Sequence, residues 1–409
     1  FVSEGLMLEK PLRPKLDKAE PNSHSRKFSE IAVKINNSKA STRFGSTIAF
    51  RPGVPALDKF PIKQWNKYLA GALSQDNRRN LSYGDFYGSE NLRKSIASHL
   101  ADSRGMQVDH EQIMITSGAQ QAFVLISLVL LNVNDTVWYE NPGHIAGRDI
   151  MSMFGANIAS IQIDKEGLDL NHAIARYAKP KLIFTTPSHQ HPLGITMSLR
   201  RRLALLKYAF DSEAWIIEDD YDSEFRYRGR PLPALSALDK YGRVLYVGTF
   251  SKSLCSAVRL GYVVIPYWLR ETFAKTRNLL GQNSSPVTEQ ALSSFINDGR
   301  FAEHIRKMRR LYRDRKDMLL KCLLENCQES LIPQKSDAGM HILADLKYGI
   351  DDQKAHKALL ADGIDSLPLS VYCSEPIRRS ALVLGFSGVS GKAMPKLTKK
   401  IGKKLLTLH

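Results

Sequence analysis

Short apolar runs alternate with amphipathic segments from about residue 47 onward. The runs are rich in Ile, Val and Leu, which is typical of strands that are buried on both faces. Apolar residues recur at helical spacing in the segments 120–131 and 199–210. We therefore predict strands over 111–116, 135–139, 158–163, 181–185, 214–218 and 243–248. Strands that alternate with helices imply an α/β fold, with a mostly parallel sheet sandwiched by helices.

The pattern changes near residue 291, where long amphipathic helices take over and short strands follow over 341–346 and 381–385. This change predicts a second, smaller α+β domain. Residues 1–45 are typical of a linker, because Pro11, Pro14 and Pro21 interrupt any helix and Lys, Ser and Asn dominate the rest. The predicted organisation is a linker over 1–45, a large domain over 46–290 and a small C-terminal domain over 291–409.

Composition excludes several classes of protein. Apolar residues make up 43% and charged residues 24% of the chain, which are globular values. The longest apolar run, 122–131, is too short to cross a bilayer, and the N-terminus has no secretory signal. The four cysteines are scattered without a Cys-x-x-Cys pair, which argues against a metal site and favours a reducing cytosol. We expect a cytoplasmic protein with no membrane partner and no metal.

The net charge of +17 raises the odds of a polyanionic partner. Arg306, Arg309, Arg310 and Arg313 have helical spacing, and such a stripe is more often a solvated helix face than a binding surface. The first residue is Phe1 rather than Met, from which we expect a piece of a longer chain.

Chemistry-bearing residues follow three of the predicted strands, where an open α/β sheet binds its ligands. Small residues at 116–120 open a helix whose free N–H groups suit a phosphate. The run Asp219-Asp-Tyr-Asp222 follows a second strand. Lys252 follows a third strand among hydroxyl residues, and Arg259 lies seven residues further on. A lysine placed between a phosphate and a buried carboxylate would be a candidate nucleophile.

Four motifs together resemble the fold type I pyridoxal-phosphate enzymes of the aspartate aminotransferase superfamily. They are Ser117-Gly-Ala-Gln-Gln121, Thr186-Pro-Ser-His-Gln-His-Pro-Leu-Gly194, Glu218-Asp-Asp-Tyr-Asp222, and Thr249-Phe-Ser-Lys-Ser-Leu254 with its arginine. With Tyr139-Glu-Asn-Pro-Gly143 and Leu384-Gly-Phe386, they look like the aminotransferase-like part of MocR/GabR-type bacterial transcription regulators of the GntR family. The resemblance covers about residues 45–405.

This resemblance implies further features of the whole protein. In that family a winged helix-turn-helix domain precedes the linker and typically ends in Phe-Val, which matches Phe1-Val2. We infer that DNA is bound by this preceding domain and not directly by the chain at hand. The resemblance also places residues 46–75 near the small domain and implies a homodimer.

The resemblance assigns pyridoxal 5′-phosphate as the cofactor and gives each site residue a role. Lys252 would form the Schiff base, Asp219 would pair with the pyridine nitrogen, Tyr221 would bond the 3′ oxygen and His144 would stack on the ring. Candidate phosphate ligands are Gly118, Ala119, Gln120, Thr249, Ser251, Arg259 and, from the partner subunit, Tyr83.

Three of these assignments have alternatives. Any of the four acids at 218–222 could fill the role given to Asp219, although its spacing to Tyr221 favours it. His189 and His191 are either ligands of the 3′ oxygen or polar loop residues. Of Thr249 and Ser251, we expect only one to contact phosphate. We also expect desolvation beside Arg259 to lower the pKa of Lys252.

Two positions depart from the pattern of aminotransferases. Val383 occupies the place of their carboxylate-binding arginine, and Leu193 replaces a threonine of the middle motif. We assign the effector carboxylate to Arg379 instead. No cation follows His144 in Ile145-Ala-Gly147, so a small monocarboxylate amino acid is expected, with alanine or D-alanine favoured over GABA.

These departures favour a sensor with little or no turnover. In that hypothesis the amino acid displaces Lys252 to form an external aldimine, and the resulting change switches DNA binding by the preceding domain. The alternative is a catalytically active aminotransferase. A third possibility, a dimerisation scaffold without cofactor, conflicts with the buried charges that Lys252 and Asp219 would then leave unpaired.

Overall fold

The computed structural model describes residues 28–38, 48–281 and 284–408. The helices in these ranges are α1 Glu30–Asn36, α2 Ile62–Ala72, α3 Glu90–Arg104, α4 Ala119–Leu130, α5 Ile145–Met153, α6 Leu170–Arg176, α7 Leu199–Asp211, α8 Leu235–Leu238, α9 Phe250–Ser253, α10 Arg270–Leu280, α11 Pro286–Asn297, α12 Arg300–Asn326, α13 Asp352–Ala361 and α14 Met394–Leu406. The strands are β1 Ile113–Thr116, β2 Thr136–Asn141, β3 Asn157–Asp164, β4 Gly167–Leu168, β5 Leu182–Thr185, β6 Trp215–Asp220, β7 Val244–Thr249, β8 Gly261–Val264, β9 Leu331–Pro333, β10 His341–Leu346, β11 Leu367–Pro368 and β12 Ala381–Gly385.

The larger sheet has the strand order β1-β8-β7-β6-β5-β2-β3-β4. Strands β3, β2, β5, β6 and β7 pair in parallel, whereas β8 is antiparallel to both of its neighbours. The predicted fold class is therefore confirmed, and each predicted strand matches an observed one with small shifts at its ends. Strands β4 and β8 of this sheet were not predicted.

Helices cover both faces of this sheet. Successive residues of a strand point to opposite sides, so each strand contributes side chains to both layers of helices. Ile217 packs with Phe123 of α4 on one face, and Ile216 packs with Leu205 of α7 on the other. The apolar runs of the sequence are thus explained by burial on two sides. The burial of these strands also fixes their register, and so the position of the residues that follow them.

The smaller sheet has the order β11-β12-β10-β9 and is antiparallel throughout. The predicted strands over 341–346 and 381–385 coincide with β10 and β12. A segment near residue 50 joins this sheet, since Ala49 bridges to Ile364 and Gly385 donates its N–H to the carbonyl of Phe50. The boundary between the domains near residue 290 stays a prediction.

Helix α1 lies inside the segment that the sequence predicts as a linker. It begins at its N-cap Ser29, whose side chain accepts a hydrogen bond from the N–H of Ala32, and it has no buried residue. Ser38, just beyond it, bonds to Asp149 of α5. Residues 1–27 and 39–47 of the predicted linker lie outside the described residues. Among the described helices, none is long and apolar enough to span a bilayer.

Candidate functional site

The residues that follow β1, β6 and β7 meet at one edge of the larger sheet. Strands β6 and β7 are parallel, and β1 runs in the same direction because both β1 and β7 are antiparallel to β8. Gly261 of β8 is the register partner of Thr116 and of Thr249. Three sequence motifs far apart in the chain therefore open into one shared space, as expected for the carboxyl ends of parallel strands.

Lys252 lies on the short helix α9, directly after β7. Its Nζ donates a hydrogen bond to the carbonyl of Gly53 at 3.0 Å. Burial lowers the pKa of Lys252, the carboxylates of Asp222 and Asp219 oppose this shift, and the cation of Arg51 adds to it. A lowered pKa increases the fraction of neutral amine, the form that attacks a carbonyl carbon. The direction agrees with the expectation from the sequence, but the contributing cation is Arg51 rather than Arg259.

Three of the four acids at 218–222 bond to groups of the protein itself. Glu218 accepts from the N–H groups of Leu235 and Ser236 at 2.8 Å, Asp220 pairs with Arg104 at 2.8 Å, and Asp222 pairs with Nδ1 of His189 at 3.0 Å. Glu218, Asp220 and Asp222 therefore stabilise the edge of the sheet through contacts within the protein.

Asp219 is the acid that remains. Its side chain is 4% exposed, and among the described residues it faces Nδ1 of His144 at 3.8 Å, an imidazole whose pKa is lowered to about 4. Burial raises the pKa of Asp219 well above its ordinary range, and the carboxylates of Asp220, Glu140 and Asp222 raise it further. To ionise at this position, the carboxyl needs a donor or a cation from outside the described protein residues. A protonated pyridine nitrogen would meet that need.

His189 joins Tyr221 to the acid cluster. Its Nδ1 lies 3.0 Å from the hydroxyl of Tyr221 and 3.0 Å from Oδ2 of Asp222. The imidazole is held from behind by Gly339, where a Cβ would lie 2.0 Å from the ring. His189 therefore orients the phenol of Tyr221, and its own contact with a 3′ oxygen stays a prediction.

His144 provides a ring face above this space. It stands at the N-cap of α5, parallel to Phe184 at 6.3 Å and edge-on to Phe123 at 5.9 Å. Burial lowers its pKa to about 4, and the charge of Lys252 contributes to this shift. The imidazole is therefore neutral near pH 7. Its Nδ1 is buried without a hydrogen-bond partner in the described part of the chain.

The backbone at the start of α4 is the candidate phosphate site. Gly118 is its N-cap residue with φ +94°, and no side chain caps this helix. Gly261 packs so closely against Gly118 that a Cβ on Gly261 would lie 2.9 Å from the Cα of Gly118. Free N–H groups of Ala119 and Gln120 therefore lie near the end of β7.

Two hydroxyls and a guanidinium are further phosphate candidates. Thr249 caps α9 by accepting a hydrogen bond from the N–H of Ser251 at 3.2 Å, which leaves its own O–H free to donate. Which of the two hydroxyls contacts phosphate stays a prediction. Arg259 is exposed, has φ +51° and precedes Gly261 by two residues. A non-glycine residue rarely adopts this conformation, and such residues cluster at ligand sites.

The structure does not bring Arg379 to this site, which corrects the assignment made from the sequence. Arg379 is 37% exposed and binds Asp345 with two hydrogen bonds of 2.6 and 3.0 Å. His341, whose ring lies 5.4 Å from that of His189, marks the site end of β10. Asp345 is four residues further along this strand, about 13 Å away at the usual rise per residue. The arginine is therefore at the far end of the smaller sheet.

Val383 lies in a buried apolar cluster where aminotransferases would present a cation. The cluster includes Leu343 and Tyr372, and Ile145 and Leu193 pack against it. Ile145 directly follows His144, and Leu193 lies two residues after His191. The cluster therefore forms a wall of the site. The wall agrees with the expectation of an apolar surface beside His144.

Arg51 was missed by the sequence reasoning. It pairs with Asp365 at 2.6 Å, and its carbonyl lies against Gly385 at the end of β12, where a Cβ would be 2.3 Å away. Its charge acts on Lys252, as described above, and also lowers the pKa of Tyr372, against the opposing effect of burial. No local motif marks this residue, because the contacts that place it join residues more than 300 positions apart.

Comparison with known proteins agrees with this geometry. The family model for aminotransferases of class I and II matches residues 52–381. The chain belongs to this family. Within it, the chain is 34% identical over 362 residues to the probable rhizopine catabolism regulatory protein MocR of Rhizobium meliloti, which covers 88% of the chain and 73% of that protein. The chain is thus a MocR-type member of the aminotransferase family.

Enzymes of the same family are also similar to it. The chain is 28% identical over 410 residues to aromatic-amino-acid aminotransferase 1 of Thermococcus litoralis, which covers 97% of the chain and 98% of the enzyme. The solved kynurenine aminotransferase of Pyrococcus horikoshii superposes with a TM-score of 0.80 at 28% identity, over 93% of the chain and 95% of that enzyme. The family resemblance alone therefore does not separate a regulator from an enzyme.

Proposed function

We propose that this chain is the effector-binding and dimerising part of a bacterial, cytoplasmic transcription regulator. The observation that carries the proposal is a site with a half-buried lysine and a buried aspartate that has no charged partner among the described residues, closed by the apolar wall around Val383. The similarity to a MocR regulatory protein supports it. DNA would be bound by a winged helix-turn-helix domain of the full-length protein, and a bound amino acid would switch that binding.

Pyridoxal 5′-phosphate is the cofactor, and the residues of the site fit it. Bound there, it supplies an aldehyde carbon to which primary amines add reversibly. Lys252 offers a partly neutral amine at this position, and Asp219 offers the buried negative charge that a protonated ring nitrogen requires. Tyr221, held by His189, presents its hydroxyl to the ring oxygen.

The remaining contacts hold the group in place. The N–H groups at the start of α4, a hydroxyl of Thr249 or Ser251 and the guanidinium of Arg259 would bind the phosphate. Arg259 forms no ion pair in the described part of the structure. His144 would stack on the ring as a neutral imidazole. Tyr83, which is 97% exposed, would reach the phosphate of the partner subunit in a homodimer.

Arg51 replaces Arg379 as the residue that binds the carboxylate of the effector. It lies two residues from Gly53, whose carbonyl accepts a hydrogen bond from Lys252, and its positive charge acts on that lysine. Beyond it, Ile145, Leu193 and Val383 are apolar. A small amino acid with one carboxylate fits this arrangement, so alanine or D-alanine is favoured over GABA.

An aminotransferase is the second candidate. The lowered pKa of Lys252 and the similarity to an aminotransferase over almost the whole chain favour it. The two functions differ in the fate of the amino acid: a regulator retains it, whereas an aminotransferase releases a keto acid.

The deciding experiment is a titration of the cofactor-loaded chain with L- and D-amino acids and GABA, followed by visible absorption over time. A spectral change that persists with alanine or D-alanine and is absent in Lys252→Ala supports the regulator. Release of keto acid with loss of the visible band identifies an aminotransferase. An unchanged spectrum in Lys252→Ala refutes the assignment of this lysine.

Arg51→Gln tests how the carboxylate is bound, with Arg379→Ala as the matched control. We expect Arg51→Gln to weaken alanine binding about tenfold or more, because a charge-assisted hydrogen bond contributes 1.5–3 kcal/mol. Ethylamine, which lacks the carboxylate, should bind both variants as it binds the unchanged chain. If Arg379→Ala weakens alanine binding and Arg51→Gln does not, the role of Arg51 is refuted.

A further inference from the structure

A second polar cavity of about 470 Å³ lies on the other face of the larger sheet from Lys252. Its floor includes Tyr246 of β7, whose hydroxyl bonds to Asp220 of β6. Asp219 and Asp220 are consecutive in β6, so their side chains point to opposite faces. The cavity therefore adjoins the same strand end as the cofactor site without sharing its space.

The cavity is lined by elements of both domains. The end of α3 and the loop after β6 form one side, and residues 302–309 of α12 form the other. Its volume lies in the range of about 300–1,000 Å³ that small-molecule sites usually have. A concave site of this size suits a small ligand better than the surface of a large polymer.

Besides Arg104, which pairs with Asp220, three arginines converge on this cavity from the two sides. Arg226 comes from the loop after β6, and Arg306 and Arg309 come from α12. The Nε of Arg226 is buried without a hydrogen-bond partner in the described part of the chain, and Arg309 uses its Nε on the backbone carbonyl of Glu224. No ion pair joins any of the three to a carboxylate of the described residues.

The acids beside these arginines do little to balance them. Asp102 is exposed at the rim. Burial raises the pKa of Glu224 to about 8, so this carboxyl is mostly neutral at pH 7. Asp220 is already paired with Arg104. The cavity therefore holds an excess of positive charge in a partly enclosed space.

We propose that this cavity binds a small phosphorylated metabolite, bridging Arg226 of the large domain and Arg306 and Arg309 of α12. Guanidinium groups from several directions match the oxygens of a phosphate. Leu100, Ile305 and the ring of Tyr262 supply apolar surface for the rest of the ligand. Because the ligand would bridge the two sides of the cavity, its binding would act on their relative position.

The test uses the cofactor-loaded chain, in which the phosphate position beside Lys252 is already filled. Calorimetric titration with phenyl phosphate should show one site per chain, with inorganic phosphate binding more weakly because it lacks the apolar part. Benzoate should bind far more weakly than phenyl phosphate. Equal affinity for benzoate would overturn the assignment to a phosphate.

Variants locate the site. Arg306→Ala and Arg309→Ala should each lower the affinity for phenyl phosphate about tenfold or more, because each removes a charge-assisted hydrogen bond. Arg310→Ala, an exposed arginine of the same helix outside the cavity, should leave the affinity unchanged. The proposal fails if no binding is detected, or if neither variant weakens it. A DNA duplex gives a further test. The proposal also fails if the duplex displaces phenyl phosphate and Arg310→Ala lowers the affinity for the duplex as much as Arg306→Ala does, because this surface of α12 would then bind a polyanion.

Discussion

At the scale of single residues, partners decide which acid of the 218–222 run serves the cofactor. The sequence could only weigh the four carboxyls by spacing. In the structure, Glu218, Asp220 and Asp222 each bond to donors of the protein, and Asp219 forms no hydrogen bond with any residue that the structure describes. Burial makes the ionised form of Asp219 unfavourable in the cofactor-free chain, and the same burial makes this carboxylate a strong partner for a ring cation.

Asp219→Asn and Asp220→Asn should therefore have opposite effects. Asp219→Asn should stabilise the cofactor-free chain, since the amide needs no proton to avoid a buried charge, whereas burial raises the pKa of the carboxyl and makes its ionised form unfavourable. It should also weaken cofactor binding about tenfold or more. Asp220→Asn should destabilise the chain by about 3 kcal/mol, because it leaves Arg104 buried without its counter-ion. Chemical denaturation and cofactor titration of both variants measure these effects. Equal destabilisation by the two changes would contradict the assignment.

Glu224 should make the stability of the cofactor-free chain depend on pH. Its pKa is raised from 4.5 to about 8 by burial, so the folded chain holds a proton that the unfolded chain releases. Its contribution to stability is complete below pH 4.5 and is lost as the pH rises through about 8. Buried histidines such as His144, with an ordinary pKa of 6.5, act in the opposite sense at lower pH.

Between pH 6.5 and 8, the change in the free energy of unfolding therefore reports on Glu224 and other buried acids with raised pKa values. We expect the free energy of unfolding to fall across this window, and to fall less in Glu224→Gln. Glu329→Gln, at an exposed position, is the matched control and should follow the unchanged chain. Denaturation curves at the two pH values measure the difference. An equal fall in Glu224→Gln and the unchanged chain would show that this carboxyl does not titrate there.

At the scale of elements, the site depends on the contact between the segment near residue 50 and β12. Gly385 allows this contact, since a Cβ there would lie 2.3 Å from the carbonyl oxygen of Arg51. Gly385→Ala should destabilise the chain by about 1–3 kcal/mol, the usual cost of overpacking, and weaken amino-acid binding by displacing Arg51. Gly71→Ala in α2, which has open space around it, should instead stabilise by about 0.5–1 kcal/mol. Thermal denaturation compares the two variants.

The sequence predicted the elements of the larger sheet well because its strands are apolar runs that are buried on both faces. The motifs that follow these strands then had a defined position. What the sequence could not predict were contacts between distant segments. Arg379 precedes the final strand, but nothing in its neighbourhood indicates that it pairs with Asp345 at the far end of β10. Arg51 reaches the site only through Gly385 and Asp365, which are distant in the chain.

At the scale of the whole molecule, Tyr83 raises the question of how two subunits share a site. A tyrosine that is 97% exposed has little to stabilise within its own chain. In the proposed homodimer it would complete the phosphate site of the partner, whereas Lys252 acts in its own subunit. A hybrid dimer of one Tyr83→Ala chain and one Lys252→Ala chain distinguishes this arrangement from one within a single chain.

If Tyr83 acts across the interface, the hybrid contains one complete site. The Tyr83→Ala chain keeps its own lysine and receives an intact tyrosine, and the other site lacks both groups. We expect half of the unchanged dimer's cofactor to bind with undiminished affinity. If Tyr83 acts within its own chain, both sites of the hybrid are defective, and no fraction binds with the original affinity. Cofactor titration of hybrids purified through two different tags measures this fraction, and the two parent homodimers serve as controls because neither contains a complete site.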